Sequence, residues 1–416
     1  LLMNQGSGVF REEAAARGVA MDFGVSQSGA SAVFADYDND GWLDLHTTES
    51  RLIELQNREN PGHSRLFHNL GASGKPGVFE DVTVDAGVVM RQANGSILTF
   101  LSAFHDLDND GFLDLFVVSD FNTSRVFLNN GDGTFRDGAD AFPITDDESG
   151  MGIAIGDMTG DGTPEVFVVG ASQFPAPVGE TRNCKDMEPD YRAFGRDGST
   201  GNGLFSFDDG SLKELTDTYG VRHSGWGWGA GMFDFDNDSR LDLITVGSLN
   251  SGINTVKSYC SYSDTTQTVV RLFHNAGDAT EEVSAEAGIA VTGLPKSPLA
   301  ADFDGDGDQD LLVLRSAGVP LLFENRLGGR DRQISLGFAG EEAPQNAKVT
   351  VTFDDGSSPV VRYLAVQNGL FSARFTDESV GLGDRADHVD TVTVTFRSGR
   401  VVTFDDVSAG ERLVLP

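Results

Sequence analysis

The nine residues Asp106-Leu107-Asp108-Asn109-Asp110-Gly111-Phe112-Leu113-Asp114 decide the reading of this chain, because their pattern, D-x-D-x-D-G-x-x-D, returns four more times. The other copies begin at Asp36, Asp157, Asp234 and Asp302, so successive first acids lie 70, 51, 77 and 68 residues apart. Self-similarity at such a period is the mark of a repeat architecture. Every copy sits in the same frame. A strand of small and apolar residues precedes it (Ala30–Ala35, Leu98–His105, Gly150–Gly156, Gly227–Phe233, Pro298–Ala301), and a β-branched or aromatic strand follows (Leu43–His46, Leu113–Val118, Glu165–Val169, Leu241–Val246, Asp310–Leu314). A third strand of Leu-Phe-x-Asn character comes next, at Arg65–Asn69, Arg125–Asn129, Gly203–Phe207, Arg271–Asn275 and Pro320–Asn325. A fourth, Gly-x-Phe-x-Asp-like, is visible at Gly77–Thr83 and Gly133–Asp137. Four short strands per unit predict an all-β chain built as a β-propeller. Five blades are visible, and six or seven result if degenerate blades are built from the termini. Residues 1–19 match strands three and four of a unit, so the N-terminus is expected to complete the last blade and close the ring. The propeller is placed at residues 1–329 and a small β-sandwich-like domain at 330–416.

The acids fall where a hard cation needs them. Ca²⁺ takes six to eight oxygens at roughly 2.3–2.6 Å, several of them anionic. In a tight turn the side chains at positions 1, 3 and 5 converge, Gly at position 6 permits the bend, the position-7 carbonyl adds an oxygen, and the acid at position 9 reaches back from the outgoing strand. The expected ligands are Asp36, Asp38, Asp40 and Asp44; Asp106, Asp108, Asp110 and Asp114; Asp157, Thr159, Asp161 and Glu165; Asp234, Asp236, Asp238 and Asp242; and Asp302, Asp304, Asp306 and Asp310. The carbonyls of Trp42, Phe112, Thr163, Arg240 and Asp308 complete the sets. Without a cation, such clustered carboxylates repel one another or hold protons, so metal binding is expected to be coupled to folding. The third copy lacks a position-3 acid, and the fourth has Ser239 where Gly is preferred. Mg²⁺ fits less well, because it demands stricter octahedral geometry.

Composition agrees. The chain holds 64 acids against 30 bases, a formal charge of −34, with 51 Gly and 29 Phe. Such acidity disfavours nucleic acid as a partner. Five bound Ca²⁺ would bring the charge from −34 to about −24. No apolar run is long enough to span a membrane. No signal-peptide pattern is visible, and because the chain opens inside a repeat unit, a processed or trimmed form is expected.

The repeats resemble FG-GAP/VCBS repeats, the blade units also used in integrin α-chain propellers; Gly225–Asp238, "GWGWGAGMFDFDND", looks like a blade start of that kind. The segment Leu321–Pro416, especially "VGLGDRADHVDTVTVTFRSGRVVTFDDVSAGERLVLP" (380–416), resembles the ASPIC/UnbV domain, which follows such repeats in cartilage-acidic-protein-like proteins and in UnbV-type proteins of enediyne gene clusters. Residues 341–351, "EEAPQNAKVTV", depart from the Gly-rich stretch usual there. The resemblance implies a calcium-dependent, exported protein, secreted, extracellular or periplasmic, that binds a protein, glycan or small molecule. A minority of propellers with related repeats are enzymes, among them aldos-2-ulose dehydratase and some polysaccharide lyases.

The loops joining strands two and three emerge on the face opposite the acid turns. Three are long, His46–Ser64, Gly170–Asn202 and Gly247–Thr268, and carry Arg51, His63, Arg182, Lys185, Tyr191, Arg192, Lys257, Tyr259 and Tyr262. In so acidic a chain these form a candidate site for a carboxylate or a sugar, against the plainer reading of a solvated surface. Cys184 and Cys260 lie in the long loops of consecutive blades, and an exported family makes a disulfide the expectation, with two free thiols as the alternative. His105, beside a calcium Asp, and His223, at the next blade entrance, are the candidate acid–base residues if the protein is an enzyme. That second reading is a lyase, dehydratase or cyclase acting on a sugar or natural-product intermediate at the channel mouth.

Overall fold

A nine-residue acid turn flanked by β-branched residues leaves its two neighbours little choice but antiparallel pairing, and this is how the chain folds. The computed structural model describes residues 1–21, 29–49, 64–90, 99–119, 123–139, 142, 150–170, 201–208, 211–222, 224, 226–248, 268–291, 295–316, 318–327, 332–339, 344–364, 378–385 and 388–416. Among them there is no α-helix, and the fold is all-β. The chain divides into two compact units, Leu1–Ile144 and Thr145–Pro416.

The first unit opens with a hairpin, β1 (Leu2–Asn4) and β2 (Phe10–Glu12), paired Leu2 to Glu12 and Asn4 to Phe10. Sheet one follows in sequence order: β3 (Gly29–Ala35), β4 (Asp44–Glu49), β5 (Ser64–Asn69) and β6 (Phe79–Asp81). Sheet two repeats it with β7 (Thr99–His105), β8 (Asp114–Ser119), β9 (Arg125–Asn129) and β10 (Phe135–Asp137). β7 and β8 are buried along their whole length, as expected of strands covered on both faces. Val33, Leu66, Val88, Phe104, Leu115 and Phe127 join the two sheets in one core. Within it His46, fully buried, shares a hydrogen bond of 2.8 Å between its Nδ1 and Ser102 Oγ, and burial pushes its pKa down to about 3.

The second unit continues the pattern. Sheet three is β11 (Gly150–Gly156), β12 (Glu165–Gly170), β13 (Gly203–Asp208) and β14 (Ser211–Glu214). Sheet four is β15 (Trp226–Phe233), β16 (Asp242–Ser248), β17 (Thr268–Asn275) and β18 (Thr280–Glu282). Sheet five has β19 (Pro295–Ala301), β20 (Asp310–Arg315) and β21 (Leu321–Phe323), three strands among the described residues. In all five sheets the first strand slips register near its start, at Gly29/Ser31, Thr99/Leu101, Gly150/Gly152, Gly227/Gly229 and Pro295/Ser297. A bulge repeated at one position is a feature of the unit, adding local twist.

The remaining strands build a different layer. β22 (Gln333–Phe338) pairs with β25 (Glu378–Gly381) on one edge and in parallel with β28 (Arg412–Leu415) on the other. β23 (Lys348–Thr352) lies between β24 (Val360–Tyr363) and β26 (His388–Thr395), with β27 (Val401–Ser408) outside. Alternating Val, Ile and Leu on both sheets, including Ile334, Val349, Val380, Val392 and Leu413, bury a single core.

Candidate metal centres

In the turn between β7 and β8 the acids organise the backbone before any cation is considered. Asp106 accepts the N–H groups of Asp110 and Gly111 at 3.1 and 3.0 Å, and Asp110 accepts that of Phe112 at 2.8 Å. Asp114 accepts Leu107 N–H at 2.9 Å and, from the third strand, Asn129 N–H at 2.8 Å. Sheets one, four and five repeat this arrangement, with Asp44, Asp242 and Asp310 accepting from Asn69, Asn275 and Asn325. The third turn differs as its sequence does: Glu165 reaches back to the N–H groups of Met158 and Thr159 and to the Thr159 hydroxyl. The same third-strand asparagines stitch consecutive sheets together. Asn129 donates to Tyr37 O at 2.9 Å, Asn275 to Met158 O at 2.7 Å and Asn325 to Phe235 O at 2.6 Å.

Backbone conformation explains the residue types. Position 6 has a positive φ throughout, 88° at Gly41, 91° at Gly111, 90° at Gly162 and 98° at Gly307, and Ser239 is held at 81°. Position 4 is also left-handed, which suits Asn39, Asn109 and Asn237.

The carboxylates converge. Asp36, Asp38 and Asp40 have oxygens within 4.8 Å of one another, as do Asp106, Asp108 and Asp114, and Asp234, Asp236 and Asp242. Burial disfavours their charged forms. It raises the pKa of Asp44 to about 8, Asp114 to about 7, Asp157 to about 6, Glu165 to about 8 and Asp234 to about 7. Asp242 is raised well above the usual range for the same reason. Asp108 Oδ1 is buried and accepts no hydrogen bond. Clustered, desolvated, oxygen-only donors with an orphaned acceptor among them suit a hard cation.

Two ligand candidates escaped the sequence reading. His68 Nδ1 lies 3.2 Å from oxygens of both Asp38 and Asp44, and His274 Nε2 lies 3.2 Å from Asp236 and 3.6 Å from Asp238. Both nitrogens are buried without a hydrogen-bond partner. The signal was present: the pentapeptide Arg-Leu-Phe-His-Asn occurs at 65–69 and again at 271–275.

The fourth turn also meets protein cations. Arg240, whose carbonyl was expected as a ligand, turns its guanidinium onto Asp238 and donates to Asn275 O at 2.6 Å. Arg362 of β24, 3% exposed, donates to Ser239 O at 3.0 Å and approaches Asp234 to 3.5 Å. The C-terminal strands thus sit on the third and fourth turns. Tyr363 donates its hydroxyl to Gly162 O at 2.9 Å, and Gly383 its N–H to Asn237 O at 2.8 Å. Gly381 is required by the contact, because a Cβ there would lie 2.3 Å from Asp234 Oδ2 and 2.6 Å from the Asn237 backbone.

His105 is 4% exposed at the end of β7, opposite Asp114. Arg51, His63, Arg182, Lys185, Tyr191, Arg192, His223, Lys257, Tyr259, Tyr262, Cys184 and Cys260 lie outside the described residues.

Residues 106–168, from the second acid turn into β12, match the model of the FG-GAP-like repeat, and residues 339–416 match that of the ASPIC and UnbV domain. The chain carries both modules. The ASPIC/UnbV domain is the layer that packs on the third and fourth turns, and the FG-GAP-like match encloses the second and third. No curated protein matches the sequence. Among solved structures the chain is similar to the V. cholerae biofilm matrix protein Bap1 (15% identity, TM-score 0.32), with 91% of this chain covered and 59% of Bap1, so it spans well short of that protein's length. It is also similar to an exo-beta-1,3-galactanase from Phanerochaete chrysosporium (10% identity, TM-score 0.29, 91% and 82% covered) and to the exotype rhamnogalacturonan lyase YesX (11% identity, TM-score 0.34, 94% and 74% covered). Similarity this low carries no argument about fold or activity.

Proposed function

We propose that this chain is a calcium-stabilised β-propeller, its five repeated sheets serving as blades, that works outside the cell or in the periplasm as a binding protein for a protein or glycan. The observation that supports this most is the fivefold recurrence of one acid turn, in four copies of which the ninth-position acid accepts the N–H of a third-strand asparagine. The carboxylates named above would hold about five ions, with the position-7 carbonyls completing each set. Bound Ca²⁺ would supply charge neutralisation at the strand junctions and no chemistry beyond it. The ASPIC/UnbV domain fits the same reading, since it leans on the third turn through Tyr363 and on the fourth through Arg362 and Gly383. Recognition is assigned to the long segments that join second and third strands.

Labelled protein applied to arrays of glycans and matrix proteins, with calcium and with chelator, tests this. Saturable binding that needs calcium and weakens when Arg182, Arg192 and Tyr259 are replaced by alanine is expected. Binding that ignores chelator and those substitutions alike would overturn it.

A further inference from the structure

The register slip at the start of each first strand leaves one residue unpaired, and in the five sheets these residues are Ala30, Phe100, Met151, Trp228 and Lys296. Each stands six positions before the first acid of its turn, so the bulge belongs to the repeat. A bulge takes its extra side chain out of the strand's alternation and re-aims it. Four of the five side chains are apolar; Lys296 alone carries a charge. The bulges of sheets four and five meet. Lys296 Nζ lies 2.8 Å from the centroid of the Trp228 indole ring. Glycine permits the approach, because a Cβ on Gly229 would lie 2.6 Å from Lys296 O and 3.0 Å from Pro298 Cδ. Both side chains are half-buried, and among the described residues no carboxylate pairs with the amine, in a chain that holds 64 acids. The indole face replaces part of the water that an ammonium needs. Loss of the rest pushes the pKa of Lys296 down to about 7.

We propose that Lys296 is a capture site for neutral carbonyl compounds, aldehydes or ketones, which its amine holds as an imine beside Trp228. A lysine set against an apolar face and left without a counter-ion keeps a lone pair available at neutral pH, the condition for attack on a carbonyl. An anion would also complete an unpaired lysine, but the chain's formal charge of −34 repels anions, and a neutral carbonyl meets no such barrier. In the step itself the Nζ lone pair adds to the carbonyl carbon and the carbonyl π pair moves onto oxygen. Nitrogen gives up a proton and oxygen takes one, which leaves a carbinolamine. The carbinolamine then loses its oxygen as water while the nitrogen lone pair closes the C=N bond. Amine and carbonyl are consumed, imine and water are formed, and no oxidant or reductant takes part. The site is independent of the acid turns, so it stands whether or not they hold calcium.

Trapping the imine on the full chain tests this. The protein is incubated at pH 7 with glyceraldehyde and cyanoborohydride, which reduces an imine to a stable secondary amine, and adducts are followed peptide by peptide by mass spectrometry. Lys296 is expected to be labelled faster than the exposed Lys75 and Lys213 by about tenfold or more. Its rate should level off above about pH 7. Trp228→Ala, which returns water to the amine, should bring the rate down toward theirs, and Lys296→Arg should remove the fast adduct with unchanged circular dichroism. Labelling of Lys296 no faster than of Lys75 and Lys213 would overturn the proposal. So would a rate that still climbs past about pH 9, as for an ordinary lysine, a rate unchanged in Trp228→Ala, or fast labelling that survives in Lys296→Arg.

Discussion

Position 6 of each acid turn needs a left-handed backbone, and only the fourth turn meets that need without glycine. Holding Ser239 at a φ of 81° costs about 1–2 kcal/mol. Its hydroxyl is buried without a partner, so nothing offsets the strain, and the contact to Arg362 uses the backbone carbonyl alone. Ser239→Gly is therefore expected to stabilise the chain by about 1 kcal/mol, read as a higher urea midpoint at an unchanged slope. A lower midpoint would contradict the strain argument. The histidines make the first and fourth turns different from the others in another way. Imidazole suits borderline metals where carboxylates suit calcium. His68→Gln and His274→Gln are expected to weaken Zn²⁺ or Ni²⁺ binding by roughly tenfold while leaving Ca²⁺ little changed, measured by titration calorimetry. Equal losses for all ions would assign the histidines to packing.

At the scale of the element, each of the first four acid turns is a strand junction whose folded state holds protons that the unfolded chain has lost. Desolvation raises Asp44, Asp114, Glu165 and Asp234 to about 7–8, against an unfolded value near 4. Their contribution to stability is fully present below the unfolded pKa and is lost as pH rises through the folded one. The chelated protein is thus expected to melt progressively lower between about pH 4 and 8, and calcium is expected to flatten that dependence by taking the place of the protons. A chelated protein whose melting temperature rises across that window would contradict the desolvation account. The seat of the C-terminal strands is a second element-scale matter. Arg362 neutralises Asp234 inside the contact, and removing one partner of a buried pair costs about 3–5 kcal/mol. Arg362→Ala is expected to lower the urea midpoint accordingly, and an unchanged midpoint would mean that the contact contributes nothing.

Over the whole molecule, the strands flanking the acid turns were legible in the sequence because two periods coincide there, the alternation of buried strands and the spacing of the ligands. Gly150–Gly156 and Arg125–Asn129 fall where the pattern places them. The third strand of sheet five is shorter than its sequence suggests, Leu321–Phe323 against Pro320–Asn325, and among the described residues no outer strand pairs with it. The outer strands β14 and β18 were missed, because Ser211–Glu214 and Thr280–Glu282 lack the phenylalanine that marks β6 and β10. Of the metal ligands, the acids were plain and the histidines were not, because a ligand supplied from the third strand lies outside the nine-residue pattern. The contact between the ASPIC/UnbV strands and the turns had no local signature at all; it depends on Gly381 and Arg362 meeting residues over a hundred positions away. If the turns bind calcium, ligand linkage should raise the melting temperature of the whole chain, and turns that share asparagine stitches should melt together rather than one by one.

The most direct measurement is the number of ions held per chain. Equilibrium dialysis of the chelator-stripped protein against calcium, with the metal counted by mass spectrometry, should give about five Ca²⁺ per chain, falling by about one with each of Asp44→Asn, Asp114→Asn and Asp242→Asn. A protein that returns from dialysis with no bound calcium, while its strands remain folded, would contradict the account.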